Sequence, residues 1–394
     1  MTTQVTASVY SELKSRIASR QARVGIIGLG YVGLPLALLY SEQKFPVTGF
    51  DIDQRKVDIL TNGGTYIVRI TSEEIAAARA NGFKASANYS QLSQMDAIII
   101  CVPTPLNEYH EPDLSFITDT AHAVAPHLRA GQIVILESTT YPGTTEEVLV
   151  PILEKENKAG LKVSRNSNAG ENEFWVAFSP EREDPGNTQV ARPDIPKVIG
   201  GVDTQASEIA AGFYGSIFHR TVPVSSPAAA EMTKLLENIY RCVNIALVNE
   251  LKMLCLRMGL DIWEIIDAAS TKPFGFHPFY PGPGLGGHCI PVDPFYLSWK
   301  AKEFDFRTKF IELLREKGAI VAYNDPYFPK VGRGRHYDLN MANTPLYNLS
   351  QYDAVVIVTD HSDYDYPAIV EQSQLVVDTR NATKGIDSPK IVRC

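Results

Sequence analysis

Short apolar runs, each closed by a glycine, proline or hydroxyl-bearing loop, recur through the first half of the chain. The stretch "ARVGIIGLGYVGLPLALLYSEQKFPVTGFDID" (22–53) reads as strand, glycine turn, helix, strand. Val24, Ile26 and Ile27 supply the first β-branched run, Leu34 to Tyr40 an apolar helix, and "FPVTGF" the second strand. Further strands are predicted in "MDAIIICVPTP" (95–105), "GQIVILESTTYPGTT" (131–145), "FWVAFSPERED" (174–184) and "KVIGG" (197–201). Buried apolar runs alternating with helical segments predict a doubly wound α/β sheet.

The period changes after Ser226. "SPAAAEMTKLLENIYRCVNIALVNELKMLCLRMG" repeats apolar residues at 232, 235, 236, 239, 243 and 247, which predicts one helix running to Met258. That is far longer than the usual helix of about 12 residues, so it should join domains, dimerise, or both. Lys234, Asn238 and Arg241 fall on one face of it. Such a stripe is usually solvated. The apolar surroundings of Lys234 and Asn238 instead predict half-burial, and hence partners for both.

Composition narrows the class. A chain of 394 residues, 44% apolar and 21% charged, should form two or three domains with their own cores. Its net charge of −8 argues against a nucleic-acid or membrane-surface binder, while leaving room for one local anion pocket. Cys101, Cys242, Cys255, Cys289 and Cys394 are scattered and odd in number, which predicts reduced thiols rather than a disulfide frame or metal site. The first twenty residues hold no continuous apolar core, and no segment reaches the roughly 20 apolar residues of a membrane helix. The expectation is a cytoplasmic protein with no metal.

Gly28, Gly30 and Gly33 spell G-x-G-x-x-G between the first strand and helix. The first glycine permits a tight turn, the second lets backbone approach a pyrophosphate, and the third lets helix and strand close up. The helix N-terminus then favours the diphosphate charge. Asp51, ending the second strand, would accept bonds from a ribose diol and repel a 2′-phosphate, so NAD is expected over NADP. Asp53 is its rival. Tyr31 and Val32 inside the turn, Arg55 beyond the acid, and Pro103 join as candidate cofactor contacts. Thr104, Thr139, Thr140 and Glu181 all fall just past strand ends, where open α/β sheets bind ligands. Each taken singly reads as a turn or cap residue; together they point to a site.

"GPGLGGHCIPVDP" (282–294) sets Cys289 in a loop of glycines and prolines, flanked by aromatics able to stack on a base or sugar. An inert buried thiol is the plain alternative. A nearby ammonium or helix N-terminus would instead lower its pKa from about 8.5 and make it a nucleophile. His288 reads as structural, since no second ligand stands at metal spacing.

"GIIGLGYVGLPLA", "CVPTPL", "ESTTYPGTT", "FSPERE-DPG", "AEMTKLLENIYRCVNIALVNEL" and "GPGLGGHCIPVDP" together resemble the UDP-sugar 6-dehydrogenase family, in the family's order. The resemblance covers about residues 21–308 and 315–394. It implies two Rossmann-like domains joined by the long helix, homodimers or larger homo-oligomers through that helix, and a four-electron oxidation at sugar C6 with NAD. The aromatic-rich loop is most similar to members acting on UDP-N-acetylglucosamine, with UDP-N-acetylmannosamine and UDP-glucose as alternatives. Cys289 then matches the nucleophile, and Lys234, Asn238 and Asp293 the groups that stabilise charge at the C6 oxygen. Glu181 matches the residue that helps deprotonate hydrolytic water, and Thr139 a threonine near nicotinamide. Tyr240, Arg241, Phe279, Tyr280 and Gly286, with Glu181, Lys234 and Asn238, are the implied substrate contacts. A capsule, O-antigen or other surface-polysaccharide role follows only from the product class.

The implied division is a tail or helix over 1–20, an NAD domain over 21–212, a helical domain with the cysteine loop over 213–308, and a UDP-sugar domain over 309–394. The last departs from the family. "EFDFRTKFIEL" begins a connecting helix, whereas "IELLREKGAIVAYNDPYFP" (311–329) resembles the middle of the third domain, a helix and its second strand. The family's opening strand and "LGxAYKxxxxDxRxSP" loop are missing. Some tens of residues are expected to be absent, with a discontinuity between 307 and 315. Two alternatives stand beside the main expectation: a two-electron dehydrogenase with no need of Cys289, and an inactive NAD-binding scaffold.

Overall fold

The computed structural model describes residues 8–107, 111–166, 172–182, 190–282, 292–301, 320–327, 330–333, 338–380 and 382–393. The chain divides into two compact units, residues 1–300 and 301–394.

The first unit is built on a sheet whose parallel strands are β1 (Val24–Ile27), β2 (Val47–Phe50), β3 (Lys84–Ser86), β4 (Ala97–Ile100), β5 (Ile133–Leu136) and β7 (Glu173–Phe178), with the short β6 (Lys162–Val163) beside β7. Their order, β3-β2-β1-β4-β5-β7, reverses direction at β1, as in a doubly wound fold. β1, β4 and β5 are buried along their whole length, so both faces need apolar residues. Alternate side chains feed two cores: Val24, Ile99, Ile135 and Ala177 on one face, and Ile27, Ile98, Val134 and Val176 on the other. The first face is covered by α1 (Val9–Ala18), α2 (Gly33–Glu42), α4 (Ser72–Ala80) and α7 (Thr204–Tyr214). The second takes α5 (Ser115–Val124) and α6 (Val150–Glu156). α3 (Gln54–Thr61) follows β2. α1 is thus tied down, with Leu13 and Ile17 in the core.

"KVIGG" forms β8 (Lys197–Gly201) as expected, but it runs antiparallel to β7, with Phe178 opposite Gly200. The chain then returns through α7 to a strand the sequence pattern did not single out, β9 (Thr221–Val224), parallel to β8. The reversal is possible because the chain between β7 and β8 contains no described crossover helix, which a parallel neighbour would need.

The long helix is α8 (Pro227–Met258), 32 residues. Ser226 caps it by accepting from Ala229 N, Pro227 occupies its first turn where no N–H is missed, and Gly259 ends it at φ +70°. Its start is pressed against β8. A Cβ on Gly200 would lie 2.1 Å from Ser226 O. α9 (Ile262–Ser270) packs back on α8 through Val248, Cys255, Ile262 and Ile266, and α10 (Asp293–Ala301) follows the cysteine loop.

The second unit carries a hairpin of β10 (Lys330–Arg333) and β11 (Asp338–Ala342), and a parallel sheet of β12 (Val355–Ile357), β13 (Val376–Asp378) and β14 (Ile391–Arg393). α11 (Tyr366–Gln372) places Val370 against Ile357 and Val376. The strand expected within "IVAYNDP" is reduced, among the described residues, to one bridge between Tyr323 and Asn343, with Ile320 fully exposed. The window of the expected discontinuity, 307–315, lies outside the described residues.

Replacing Gly200 with alanine forces backbone apart where β8 meets α8. We expect a loss of about 1–3 kcal/mol, read from the urea unfolding midpoint.

Candidate active site

The glycine turn leads from β1 into α2. Gly28 sits at φ +89°, and a Cβ there would meet Cys101 O at 2.6 Å; one on Gly33 would strike Gly28 O at 2.0 Å. At Gly30, by contrast, a Cβ would meet nothing within 4 Å. The backbone is therefore open on the side a pyrophosphate would take, with the α2 N-terminus behind it, and the turn fits a dinucleotide. Asp51 is 5% exposed and accepts from Leu29 N at 3.0 Å, inside the turn, and from Lys56 Nζ at 3.0 Å. Asp53 instead caps α3 by accepting from Arg55 N, and its side chain pairs with exposed Arg55. Tyr31 is exposed, Val32 is half-buried at the N-cap position of α2, and Pro103 is exposed beyond β4.

The sheet's carboxyl edge gathers the remaining polar loops. Ser138 Oγ donates to Val102 O at 2.7 Å, tying the β5 loop to the β4 loop. Thr139 is half-buried; Thr140 is buried, with no partner for Oγ1 among the described residues. Glu181 lies just past β7. Next to it, Arg182 reaches α8 with two guanidinium bonds to Glu237, at 3.1 and 2.5 Å.

α8 brings its own polar face to this edge. Asn238 is 7% exposed and donates to Asp293 Oδ2 at 2.5 Å, joining α8 to the start of α10. Asp293 is itself buried. Lys234 is half-buried one turn earlier, and Arg241 half-buried on the following turn. α10 is fixed from three directions. Tyr296 donates to Thr104 O at 3.0 Å, Lys300 contacts Glu147 at 2.5 Å, and Tyr141 packs on Trp299. Tyr240 is half-exposed and sits against His277 and Phe279, while Tyr280 stacks on Trp263 and donates to Asp267. Cys289, Gly286 and His288 lie outside the described residues.

Sequence reasoning missed the group that seats α8. Glu231 is fully buried and accepts from Gly143 N (2.6 Å), Thr145 N (2.9 Å) and Thr145 Oγ1 (2.7 Å). Burial pushes its carboxyl up to about 7, outweighing those bonds. An acid inside "AAAEMT" was the available signal. Glu137 and Lys197, also buried, were missed because their pairing spans distant strands. Among the described residues no cluster of His, Cys, Asp and Glu could hold a metal, and no helix is long and apolar enough to cross a membrane.

A dinucleotide-type sheet followed by a long helix whose polar face meets the sheet's carboxyl edge defines the class. The chain belongs to the UDP-glucose/GDP-mannose dehydrogenase family: its NAD binding domain matches residues 22–218, its central domain 228–318 and its UDP binding domain 307–385. The last two matches overlap over 307–318. The chain is 38% identical over 293 residues to the UDP-N-acetyl-D-glucosamine 6-dehydrogenase of Pseudomonas aeruginosa, covering 74% of this chain and 66% of that one. It is 36% identical over 275 residues to the UDP-N-acetyl-D-mannosamine dehydrogenase of Yersinia pestis, covering 70% and 64%. It thus spans slightly less than two thirds of the length of these relatives. A solved UDP-D-ManNAc dehydrogenase from Pyrococcus horikoshii superposes with a TM-score of 0.65 at 28% identity, over 94% of this chain and 98% of that one.

Between the ordinary Glu value of 4.5 and about 7, the folded chain holds a proton on Glu231 that the unfolded chain has lost. Stability therefore falls as pH rises through that window, by up to about 3 kcal/mol. Urea midpoints across the range should show the slope, and Glu231→Gln should flatten it.

Proposed function

We propose that this chain oxidises UDP-N-acetylglucosamine at C6 to the carboxylate, a four-electron NAD-dependent reaction. The observation that carries it is the buried Asn238–Asp293 contact, which unites the long helix with the segment four residues past Cys289. Family membership and the relatives' printed activities support it.

Gly28 to Gly33 and Asp51 would hold NAD, which when bound supplies the hydride acceptor for both oxidations. The first oxidation removes a hydride and a proton from the C6 alcohol. Cys289 thiolate then forms a C–S bond to the aldehyde carbon, giving a thiohemiacetal. Loss of a second hydride leaves a thioester on Cys289. Water adds to its carbonyl carbon, a water proton goes to Glu181, and the C–S bond breaks to release the thiolate and the acid. Asn238 and Lys234 face the negative charge that grows on the C6 oxygen, and Asp293 fixes the amide of Asn238 before substrate arrives. Phe279 and Tyr280 are the proposed aromatic contacts to the sugar, while Tyr240, edge-on to Phe279, stands on the exposed apolar face of α8. Cofactor and substrate class both favour the cytoplasm, and the uronic acid product suits a surface polysaccharide such as capsule or O-antigen.

The same helix supports a homodimer. Met232, Leu236, Tyr240, Val243, Leu247, Leu251, Leu254 and Met258 of α8 are all exposed. Their 4-4-3 spacing repeats every 11 residues, about 3.67 per turn, so the stripe keeps to one side of the helix with a slow drift. A second copy is the self-complementary occupant for such a stripe.

For the domains, we propose that the overlap of the central and UDP-binding matches marks a junction where family segments have been lost.

Purified protein should yield two NADH per UDP-N-acetylglucosamine, with little turnover of UDP-N-acetylmannosamine or UDP-glucose. One NADH per sugar, or full turnover by Cys289→Ser, would mark a two-electron enzyme; no turnover with NAD still bound would mark a scaffold. Asn238→Ala should lower kcat by at least about 100-fold. Leu247→Glu should convert dimer to monomer in light scattering.

A further inference from the structure

Behind Glu181 lies a charge cluster that takes no part in the steps at C6. Lys197, the first residue of β8, is 2% exposed. Its Nζ is 3.1 Å from Glu137 Oε2, an ion contact, and 3.5 Å from Glu181 Oε2. Glu137 follows β5 and is buried; its other oxygen accepts from Tyr214 of α7. The ammonium also lies 5.1 Å from the Tyr214 ring and 5.5 Å from that of Phe218. Cys101, past β4, and Tyr40 of α2 close the group; burial pushes both up, so both stay neutral. Burial also raises the Glu137 carboxyl against the pull of Lys197. On the outer side, Glu181 Oε1 accepts from Arg182 N at 2.8 Å, and Arg182 is clamped to Glu237 beside Asn238.

The direction of β8 puts Lys197 there. Phe178 pairs with Gly200, so continuing the antiparallel register sets position 181 opposite 197. In a parallel strand, the first residue would lie at the other edge of the sheet, away from every loop of the site. Burying an ammonium with one carboxylate, and half-burying a second, is also a poor way to stabilise a core, where apolar residues of equal volume do as well or better.

We infer that Lys197 is a positioning residue that holds Glu181 in place and, by sharing one positive charge between two carboxylates, makes Glu181 the cluster's proton acceptor. With both acids ionised the cluster carries an excess negative charge. Taking the proton of the hydrolytic water onto Glu181 neutralises that excess, while Glu137 retains the ammonium. The hydrolytic task rests on the function proposed above; the coupling of the three side chains does not.

The test separates the two. Protein labelled with ¹³C-carboxyl glutamate, its signals assigned with Glu181→Gln and Glu137→Gln, is titrated by NMR without substrate. Lys197→Met should raise the Glu181 midpoint by about one pH unit or more, and Glu137→Gln should lower it by freeing the ammonium for Glu181. Lys197→Arg, which keeps the charge, should restore most of the shift and serves if the methionine variant does not fold. A merely structural lysine would leave the Glu181 midpoint within a few tenths in all three variants, and that result overturns the inference. With UDP-N-acetylglucosamine and NAD, Lys197→Met should slow steady-state NADH release at least tenfold while an acyl group accumulates on Cys289, detected by intact mass. Coupled midpoints without an acyl adduct in any variant would retain the positioning role and reject the hydrolytic chemistry.

Discussion

A single buried carboxylate sets the geometry on which the site depends. Glu231 enters the sheet's edge fully buried and finds two backbone N–H groups and a hydroxyl from the loop after β5. Three bonds from one side chain fix both the depth of α8 and its rotation about its axis. Once that rotation is set, the positions one and two turns later on the same face are set with it, and these are Lys234 and Asn238. The absence of a side chain on Gly200 lets the helix start close enough for Glu231 to reach. Asn238 then passes the constraint on to Asp293 and so to α10.

The elements legible in the sequence were those with local signals. α8 could be bounded almost to the residue because Ser226, Pro227 and Gly259 are chemical punctuation, and the glycine turn because Gly28 and Gly33 press on backbone while Gly30 leaves its side open. The sense of β8 was not legible. "KVIGG" is equally apolar in either direction, and only the path of the chain between β7 and β8 decides. The strand that resemblance implied within "IVAYNDP" is, among the described residues, a single bridge at Tyr323, because a strand needs a neighbour as well as a suitable sequence.

The site shows the same division. That Asn238 would be at least half-buried and need a partner followed from its apolar neighbours; that the partner is Asp293 depends on two segments meeting in space. Glu137 and Lys197 carry no local mark at all, since each is one charged residue beside an ordinary strand. Roles for Glu181 and Thr139 came from resemblance to a family, and the geometry adds to them the clamp between Arg182 and Glu237. Beside its candidate site this acidic chain sets one cation, Lys197, against two acids, Glu137 and Glu181, which net charge could never have revealed.

Asp51 illustrates how selectivity can be wired into scaffold integrity. Its carboxylate already bonds the N–H of Leu29 in the glycine turn and the ammonium of Lys56. The acid is therefore held in one orientation by the fold itself, before any ligand arrives. The other side of that arrangement is evolutionary. Exchanging Asp51 for a residue that welcomes a phosphate would strip a buried N–H of its acceptor and leave Lys56 without its counter-ion. If Asp51 reads the ribose as proposed, cofactor preference could not drift by one substitution, because such a step would also loosen the turn that a dinucleotide must sit on.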